Sequence, residues 1–387
     1  MKIAKRMGEL RSSELGKILA RVSHLKAEGR QIIAMHAGEP DFPTPENIVA
    51  AAIKALRDGE THYVSPVGIP TLRETIAAEV ARTRQISVNP GRVIVAPGAK
   101  LLIYYAIQAL CEPGDEVICV DPVYPFYALL SEYTGAKVVS LPMTMETGFS
   151  FDIERLRSLI TQRTRMIVIN SPSNPTGGML IKRDLQALAE VAIEHDLIIL
   201  SDEIYGRIVY DQPFESIASV AGMDQRVILV DGFSKTYAMT GWRLGYAVVP
   251  DFLVGSFTKL VLSSITCTNA FVQVAGIEAI RGPQDSVDKM VETFRMRRDL
   301  TVDTLNRIPG FNCLKPQGAF YAFPRIDDIG LSSAELCRHL LDTAGVATYP
   351  GSAFGNHGEG FIRFSFACSE KDIREGLDRV AKAMAAM

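Results

Sequence analysis

Two cations, Lys235 and Arg243, lie eight residues apart in a stretch that joins two apolar segments. Residues 227–230 and 244–249 have the composition of buried strands, which predicts that the two cations lie at a strand end. A desolvated amine beside another cation loses its proton readily and becomes nucleophilic, so Lys235 suits a Schiff-base lysine and Arg243 suits an anion held beside it. A surface loop with its charges in water is an equal alternative, because most lysines and arginines are exposed.

Other polar side chains also follow strand-like runs. Asp202 comes directly after the apolar run 197–200, where a buried carboxylate is costly unless it faces a cation or a protonated ring nitrogen. Asn174 and Tyr124 follow two further runs of this kind. Each residue also has a purely structural interpretation: a helix cap or an ion pair for Asp202, a turn for Asn174 and a core aromatic for Tyr124.

A Pro-Gly turn at residues 97–98 separates a strand-like run from a helical segment. The helix is expected to begin at Ala99 and Lys100, whose free backbone N–H groups suit a phosphate. Pro-Gly before a helix is common, so the turn is a weak signal by itself.

Strands and helices alternate from residue 92 onward, which predicts an α/β fold with a mostly parallel sheet covered by helices. The predicted strands are 93–96, 117–120, 166–170, 197–201 and 227–230, and the predicted helices include 98–110 and 182–195. Ligands of such sheets bind at the carboxyl ends of the strands, and the polar side chains described above lie at those ends.

The C-terminal part has a different pattern. A predicted helix at 285–306 is followed by short segments and by the alternating strand 360–366, which carries one cation, Arg363. An arginine in an aromatic strand usually needs a carboxylate partner, which is either an internal Asp or Glu or a substrate. We predict a change of domain near residues 282–283.

The composition limits the class of protein. The chain has 387 residues, of which 47% are hydrophobic, and this predicts two globular domains. The net charge of −3 and the mixed signs offer no basic surface for nucleic acid or membrane, and no apolar run approaches membrane-spanning length. Six scattered cysteines without a CxxC pair predict reduced thiols, a cytoplasmic protein and no metal site.

Taken together, these motifs resemble those of the class I aminotransferases, which are fold type I enzymes that use pyridoxal 5′-phosphate. The resemblance rests on Asn-Pro-Thr-Gly at 174–177, Ser-Asp-Glu-Ile-Tyr at 201–205 and Ser-Lys-Thr-Tyr-Ala-Met-Thr-Gly-Trp-Arg-Leu-Gly at 234–245. It implies a large domain with a mostly parallel, seven-stranded-type sheet and a smaller α+β domain. The predicted boundaries are 1–43 for an N-terminal arm and part of the small domain, 44–283 for the large domain and 284–387 for the rest of the small domain.

The resemblance implies a catalytic or cofactor-binding role for each matching residue. Lys235 is expected to form the Schiff base with the cofactor and to move the substrate proton, and Asp202 is expected to keep the ring nitrogen protonated. Tyr205 and Asn174 are expected to hydrogen-bond the ring hydroxyl, and Tyr124 to stack on the ring. The implied reaction is transamination of an L-α-amino acid with a 2-oxo acid in two half-reactions.

The phosphate site implied by the resemblance combines the backbone N–H groups of Ala99 and Lys100 with the side chain of Arg243. Tyr63 is expected to reach this phosphate from the neighbouring subunit of a homodimer. Many relatives have a phosphate-binding serine three residues before the lysine, where this chain has Gly232, so one phosphate contact is missing or moved.

The substrate site implied by the resemblance centres on Arg363, which is expected to bind the α-carboxylate with help from Asn174 and the backbone of Gly38. Lys100 matches a lysine that one aspartate and prephenate aminotransferase subgroup uses for a distal carboxylate, and Ser13 falls near a serine that assists it. This favours aspartate or glutamate as the donor and 2-oxoglutarate as the acceptor. A C–S or β-lyase, or an aminotransferase for aromatic or aliphatic amino acids, remains open as an alternative.

Overall fold

The apolar runs between residues 93 and 248 assemble into the central sheet of the protein. The structure is a computed structural model that describes residues 3, 7, 14–326 and 329–387. Numbered in chain order, the strands of the described residues are β1 Ile33–Ala34, β2 Val93–Ala96, β3 Glu116–Asp121, β4 Lys137–Pro142, β5 Thr164–Asn170, β6 Ile198–Asp202, β7 Val227–Gly232, β8 Gly245–Val248, β9 Phe311–Asn312, β10 Tyr321–Ala322, β11 Arg325–Ile326, β12 Val346–Ala347, β13 Tyr349–Pro350 and β14 Ile362–Ser365.

The central sheet has seven strands in the order β2-β8-β7-β6-β5-β3-β4. Strand β8 runs antiparallel to both of its neighbours, and every other neighbouring pair is parallel. The predicted α/β fold with a mostly parallel sheet is therefore confirmed. The edge strand β4 was not predicted, because it begins at a lysine, ends at a proline and is only partly buried.

Helices cover the sheet, so the central strands are buried along their whole length and consist largely of Val, Ile and Leu. The α-helices of the described residues are α1 Glu14–Ala27, α2 Glu46–Arg57, α3 Pro70–Arg84, α4 Ala99–Leu110, α5 Phe126–Thr134, α6 Ile153–Leu159, α7 Lys182–Glu194, α8 Phe233–Thr236, α9 Asp251–Ser264, α10 Ala270–Arg281, α11 Asp285–Leu305, α12 Ser333–His339 and α13 Glu370–Ala385. Short 3₁₀ turns cover Pro90–Arg92, Met145–Thr147, Ile217–Ser219, Gly351–Phe354 and Asn356–Gly358, and a π-helical turn covers Leu340–Ala344.

Two large hydrophobic cores lie side by side. The first is built on the seven-stranded sheet and the helices that cover it. The second is built on α11, α13 and the strands β10 and β14, and it also contains Met35, Ile204 and Tyr205. Residues near the end of β6 therefore pack into the second core, which brings that strand end beside the C-terminal part of the chain. The domain boundaries at 43 and 283 stay predictions.

Within the described residues, no helix is both long and apolar enough to cross a membrane. The same residues contain no group of three or more His, Cys, Asp or Glu side chains that could hold a metal ion. All six cysteines are free, and four of them are buried.

Candidate active site

A cavity of about 830 Å³ opens at the carboxyl ends of the central strands, between the two cores. Most of the predicted site residues line it, although they come from distant parts of the chain. The predicted residues that line this cavity are Gly38, Ala99, Lys100, Tyr124, Asn174, Asp202, Tyr205, Lys235, Arg243 and Arg363. The fold thus brings these ten residues together at one site.

Lys235 lies in the short helix α8, directly after β7. Its Nζ donates a hydrogen bond to the carbonyl oxygen of Gly38 at 2.5 Å. Burial lowers the pKa of the Lys235 ammonium to about 8; Glu39 opposes the shift, whereas the nearby cation of Arg363 adds to it. An amine with such a pKa is partly neutral near pH 8, which is the state required for nucleophilic attack on a carbonyl carbon.

Asp202 ends β6, and both of its carboxylate oxygens accept hydrogen bonds. Oδ2 accepts from the hydroxyl of Tyr127 at 2.6 Å, and Oδ1 accepts from the backbone N–H of Ile204 at 3.1 Å. Burial raises the pKa of Asp202 to about 6, although the hydrogen bond from Tyr127 opposes that shift. The negative charge of Glu203 adds to the increase, and the ammonium of Lys235 opposes it. A buried carboxylate of this kind is stabilised when a cation approaches it.

Arg363 in β14 is 3% exposed and forms no ion pair with any described carboxylate. Its Nη1 donates to Oδ1 of Asn174 at 2.8 Å, and its Nη2 donates to the carbonyl oxygen of His36 at 2.7 Å. The buried Nε has no hydrogen-bond partner among the described residues. Three aromatic rings surround the guanidinium, with centroids 4.2 Å from Cζ for Tyr321 and 5.0 Å for both Tyr349 and Phe354.

The turn between β2 and α4 forms a cradle for an anion. Gly98 has φ +91°, and a Cβ atom at this position would lie 2.3 Å from Nη2 of Arg243. The guanidinium therefore packs against the backbone at the start of α4, where the first N–H groups, including those of Ala99 and Lys100, have no acceptor within the helix. Gly245 begins the neighbouring strand β8, and a Cβ at this position would lie 2.4 Å from the backbone nitrogen of Ala99. The close contact between β8 and the start of α4 therefore also requires a glycine.

The aromatic side chains of the cavity are linked to one another. The hydroxyls of Tyr205 and Tyr321 form a hydrogen bond of 2.9 Å. The ring of Tyr124 stacks on Phe126, with a centroid distance of 5.1 Å. Nζ of Lys100 lies over the Phe126 ring, 3.6 Å from its centroid.

Gly232 explains one departure from the family pattern. It pairs with Gly245 across β7 and β8, and a Cβ at position 232 would lie 3.0 Å from the Cα of Gly245 and 3.1 Å from the carbonyl oxygen of Leu244. A serine at position 232 would therefore require the strands to move. The neighbouring Ser234 lines the cavity.

The structure does not place the two remaining predicted residues, Tyr63 and Ser13, among the residues that line the cavity, for different reasons. Tyr63 is 86% exposed and lies outside the cavity lining, so the chain by itself gives its hydroxyl no role. Ser13 lies outside the described residues.

The sequence interpretation missed several residues of the cavity, including Tyr127, Phe126, Tyr321 and His36. Tyr127 had a detectable signal, because it lies three residues after Tyr124 in the same aromatic segment that follows a predicted strand. Tyr321 and His36 had none, because each lies in a short segment whose partners come from remote parts of the chain.

The site fits pyridoxal 5′-phosphate, the cofactor implied by the resemblance. The Gly98 turn and Arg243 suit the phosphate, the buried Asp202 suits a protonated ring nitrogen, and the buried amine of Lys235 suits the aldehyde carbon. These three groups line one cavity, so a single molecule can reach all of them.

Comparisons with known proteins agree with this fit. The sequence profile described as Aminotransferase class I and II matches residues 30–380. The chain is 39% identical to an aspartate aminotransferase of Musicola paradisiaca, over 99% of this chain and 96% of the relative. It is 38% identical to aromatic-amino-acid aminotransferase 2 of Thermococcus litoralis, over 99% of this chain and 98% of the relative.

A solved structure gives the same result. The aspartate aminotransferase of Thermus thermophilus with maleate superposes with a TM-score of 0.95 at 36% identity, covering 99% of this chain and 100% of that one. The chain therefore belongs to the class I and II aminotransferases, and it is a fold type I transaminase that uses pyridoxal 5′-phosphate.

Proposed function

We propose that this aminotransferase takes aspartate or glutamate as the amino donor and 2-oxoglutarate as the acceptor. The observation that carries the proposal is a pair of cations in one cavity, Arg363 and Lys100, neither of which forms an ion pair with a described residue. A dicarboxylic substrate has two anionic groups and can engage both cations at once.

Arg363 binds the α-carboxylate of the substrate in this proposal. Its guanidinium is already oriented by Asn174 and by the carbonyl of His36, and its Nε, which no described residue contacts by a hydrogen bond, leaves a donor for the anion. Asn174 and the backbone of Gly38 complete the carboxylate site. The internal carboxylate partner that the sequence left open for Arg363 does not occur among the described residues, which supports a substrate as the partner.

Lys100 binds the distal carboxylate. Burial lowers the pKa of the Lys100 ammonium, and the cation of Arg243 adds to that decrease. A second carboxylate beside Lys100 therefore relieves an unfavourable charge. The names of two relatives support a dicarboxylic substrate: the aspartate aminotransferase of Musicola paradisiaca and the Thermus thermophilus enzyme solved with maleate, a dicarboxylate.

The remaining cavity residues hold the cofactor and move the proton. Ala99, Lys100 and Arg243 bind the phosphate; Asp202 binds the ring nitrogen; Tyr205 and Asn174 bind the ring hydroxyl; and Tyr124 packs on the ring face. When bound, pyridoxal phosphate supplies the aldehyde carbon that receives the amino group and the cationic ring that stabilises negative charge at the substrate Cα. Lys235 would take the proton from the substrate Cα and deliver it to the carbon that was the cofactor aldehyde, which the amino nitrogen joins to Cα, because its amine is buried and its pKa is lowered to about 8.

The enzyme functions as a homodimer in this proposal, and Tyr63 of the partner subunit reaches the phosphate. The 86% exposure of Tyr63 in the single chain supports this arrangement, because the hydroxyl has no use in its own cavity. Six free cysteines support a cytoplasmic location, where thiols stay reduced. The large domain covers 44–283, and the small domain covers 284–387 together with part of 1–43.

The test of the substrate is the first half-reaction with single amino acids, followed through the absorbance of the bound cofactor without any oxo acid. In Lys100→Met we expect kcat/KM for aspartate and glutamate to fall roughly 10- to 100-fold, because a hydrogen bond to a charged group is lost. The values for alanine and phenylalanine should change less than threefold, since these substrates have no distal carboxylate.

The matched variant is Lys100→Arg, which keeps the charge and should retain most of the aspartate activity. Both variants keep the backbone N–H at position 100, so affinity for the cofactor should remain that of the wild type. An equal loss for all four amino acids, or a wild type that does not react with aspartate or glutamate, would reject the dicarboxylate proposal.

A second candidate substrate class is the aromatic amino acids. The ammonium of Lys100 lies 3.6 Å from the ring centroid of Phe126, and Leu15, Leu19 and Ile103 also line the cavity. An aromatic side chain can pack against this apolar surface. The name of the Thermococcus litoralis relative agrees with this alternative. Phenylalanine as the fastest substrate in the same assay would favour it.

A further inference from the structure

The hydroxyl of Tyr127 is a buried polar group of the cavity to which the proposed mechanism gives no role. We propose that Tyr127 is a positioning residue: its hydroxyl holds the carboxylate of Asp202 in the orientation and ionisation state in which it binds the ring nitrogen of the cofactor. The inference rests on the proposed pairing of Asp202 with that nitrogen and is independent of which amino acid is the substrate.

The geometry of the pair is well defined. Tyr127 is 1% exposed and Asp202 is 5% exposed, so water does not compete for their hydrogen bond of 2.6 Å. The other carboxylate oxygen is held by the backbone N–H of Ile204. Two donors from different elements, α5 and the segment after β6, therefore fix the plane of the carboxylate.

The same side chain also supports the aromatic residue beside it. The ring of Tyr127 makes an edge contact with the ring of Tyr124, at a centroid distance of 5.8 Å and an interplanar angle of 79°. Tyr124 is the residue proposed to pack on the cofactor ring. Tyr127 thus positions two groups that contact the cofactor from different directions.

Asp202 needs a neutral donor because its surroundings are not balanced in charge. The charged and titratable groups that act on it are one cation, Lys235, two anions, Glu203 and Asp231, and the tyrosines Tyr124, Tyr127 and Tyr205. Burial disfavours the negative charge of Asp202 most, and two nearby carboxylates that share the single cation of Arg84 disfavour it further. A hydroxyl donor favours the ionised form without adding charge.

Tyr127 is suited to this role because it does not lose its own proton. Burial raises the pKa of Tyr127 well above its ordinary value, and the charge of Asp202 raises it further. The hydroxyl therefore remains a donor between pH 5.5 and 8.5, the range of the test described below.

The test measures binding of pyridoxamine 5′-phosphate to the full-length protein freed of cofactor, by fluorescence titration between pH 5.5 and 8.5. This amine form of the cofactor cannot bond covalently to Lys235, so the dissociation constant reports only non-covalent contacts. Protonation of Asp202 weakens the contact with the ring nitrogen, so affinity falls as the pH falls through the pKa of Asp202.

In Tyr127→Phe the carboxylate loses a donor, its pKa rises, and the decrease in affinity begins at a higher pH. We expect a shift of roughly one pH unit, so the affinity should be roughly twofold weaker near pH 7 and approach roughly tenfold weaker at pH 5.5. The difference should shrink toward pH 8.5, where Asp202 is ionised in both proteins. A loss of packing would weaken binding equally at every pH.

Two further variants complete the experiment. In an Asp202→Asn background, Tyr127→Phe should change affinity less than twofold, because the group it acts on is absent. Tyr105→Phe is the matched control: Tyr105 is 1% exposed, and its hydroxyl contacts Ser264 outside the cavity. Its binding curve should coincide with that of the wild type at every pH.

The outcomes separate the two proposals. Suppose that Asp202→Asn weakens binding, but that Tyr127→Phe leaves the pH profile of affinity unchanged and has the same effect with and without Asp202. The proposed role of Tyr127 is then wrong, and the pairing of Asp202 with the ring nitrogen stands. If Asp202→Asn binds as tightly as the wild type, the pairing itself is wrong.

Discussion

Two buried arginines of this protein, Arg84 and Arg363, have opposite surroundings. Arg84 at the end of α3 is 5% exposed, and its Nε and Nη2 form ion pairs with Glu203 at 3.0 Å and Asp231 at 2.8 Å. Arg363 is 3% exposed, and within the part of the chain that the structure describes it is held only by an amide oxygen, a carbonyl oxygen and aromatic rings. The first cation has more negative charge around it than it can neutralise, and the second has none among the described residues.

The difference separates a structural cation from a binding cation. A buried guanidinium without a counter-ion is costly, so a stable fold tolerates it where an anion will arrive. Arg84 needs no ligand, because it neutralises carboxylates that the fold has already buried. Each arginine therefore predicts a different consequence of its removal, one in stability and the other in activity.

The largest expected effect is that of Arg84→Leu on stability. The substitution leaves Glu203 and Asp231 buried without a cation, which we expect to lower the free energy of unfolding by about 3–5 kcal/mol at pH 8. Burial raises the pKa of Asp231 to about 7, even though Arg84 opposes that shift. Without Arg84 the Asp231 carboxyl takes up a proton still more readily, so the loss should be smaller at pH 5.5. Urea unfolding at pH 8 and pH 5.5 measures the loss of unfolding free energy at each pH. An unchanged midpoint at pH 8 would contradict the structural role of Arg84.

Arg363→Leu is expected to produce the opposite result. No described carboxylate is left unpaired, so the free energy of unfolding should stay the same or increase. The kcat/KM for every amino acid should fall roughly 30- to 5,000-fold, because the α-carboxylate loses a charge-assisted partner worth about 2–5 kcal/mol.

The matched variant Arg363→Lys keeps the charge but loses the planar fork, and it should recover only part of the activity. Half-reaction kinetics give kcat/KM for each variant, and urea unfolding of the same preparations gives its free energy of unfolding. Destabilisation of Arg363→Leu as large as that of Arg84→Leu would remove the distinction between the two residues.

The contrast between the two arginines also marks the limit of the sequence interpretation. The alternating strand around Arg363 indicated a cation that needs a partner, but whether a carboxylate would meet it depended on contacts with Asn174 and His36, which are 189 and 327 residues away. Arg84 gave no signal at all, because it lies in an ordinary amphipathic helix and its partners are 119 and 147 residues distant.

Elements with a strong local pattern were predicted closely. The helix predicted at 98–110 is Ala99–Leu110, and the strand predicted at 93–96 has those limits in the structure. Strand β4 was missed because it has no regular apolar run and forms at the sheet edge through pairing with β3. Lys235 and Asp202 were placed correctly in one cavity because parallel strands end on the same side of a sheet.

A smaller effect concerns His36, whose carbonyl oxygen accepts from Arg363. Burial lowers the pKa of the His36 imidazole to about 4, and the uncompensated charge of Arg363 lowers it further. Because the folded pKa lies below the ordinary value near 6.5, His36 contributes stability above pH 6.5, and this contribution is lost as the pH falls toward 4. The loss reaches up to about 3 kcal/mol.

His36→Asn should remove this part of the pH dependence of urea unfolding. In Arg363→Leu the dependence should become weaker, since one cause of the low pKa is absent, whereas a change in Arg84 should not affect this contribution. An identical slope in the wild type and His36→Asn between pH 6.5 and 4 would refute the assignment.

The smallest expected effect tests the aromatic rings that take the place of a counter-ion around Arg363. The ring centroid of Tyr349 lies 5.0 Å from Cζ of Arg363, and the same ring makes an edge contact with His36. In Tyr349→Leu the guanidinium loses a cation–π contact worth about 0.5–2 kcal/mol, so we expect the KM for amino acids to rise roughly 2- to 30-fold with little change in kcat. Tyr349→Phe keeps the ring and should behave like the wild type in the half-reaction. If Tyr349→Phe loses as much as Tyr349→Leu, the hydroxyl is the important group, and the ring does not help to stabilise the unpaired cation.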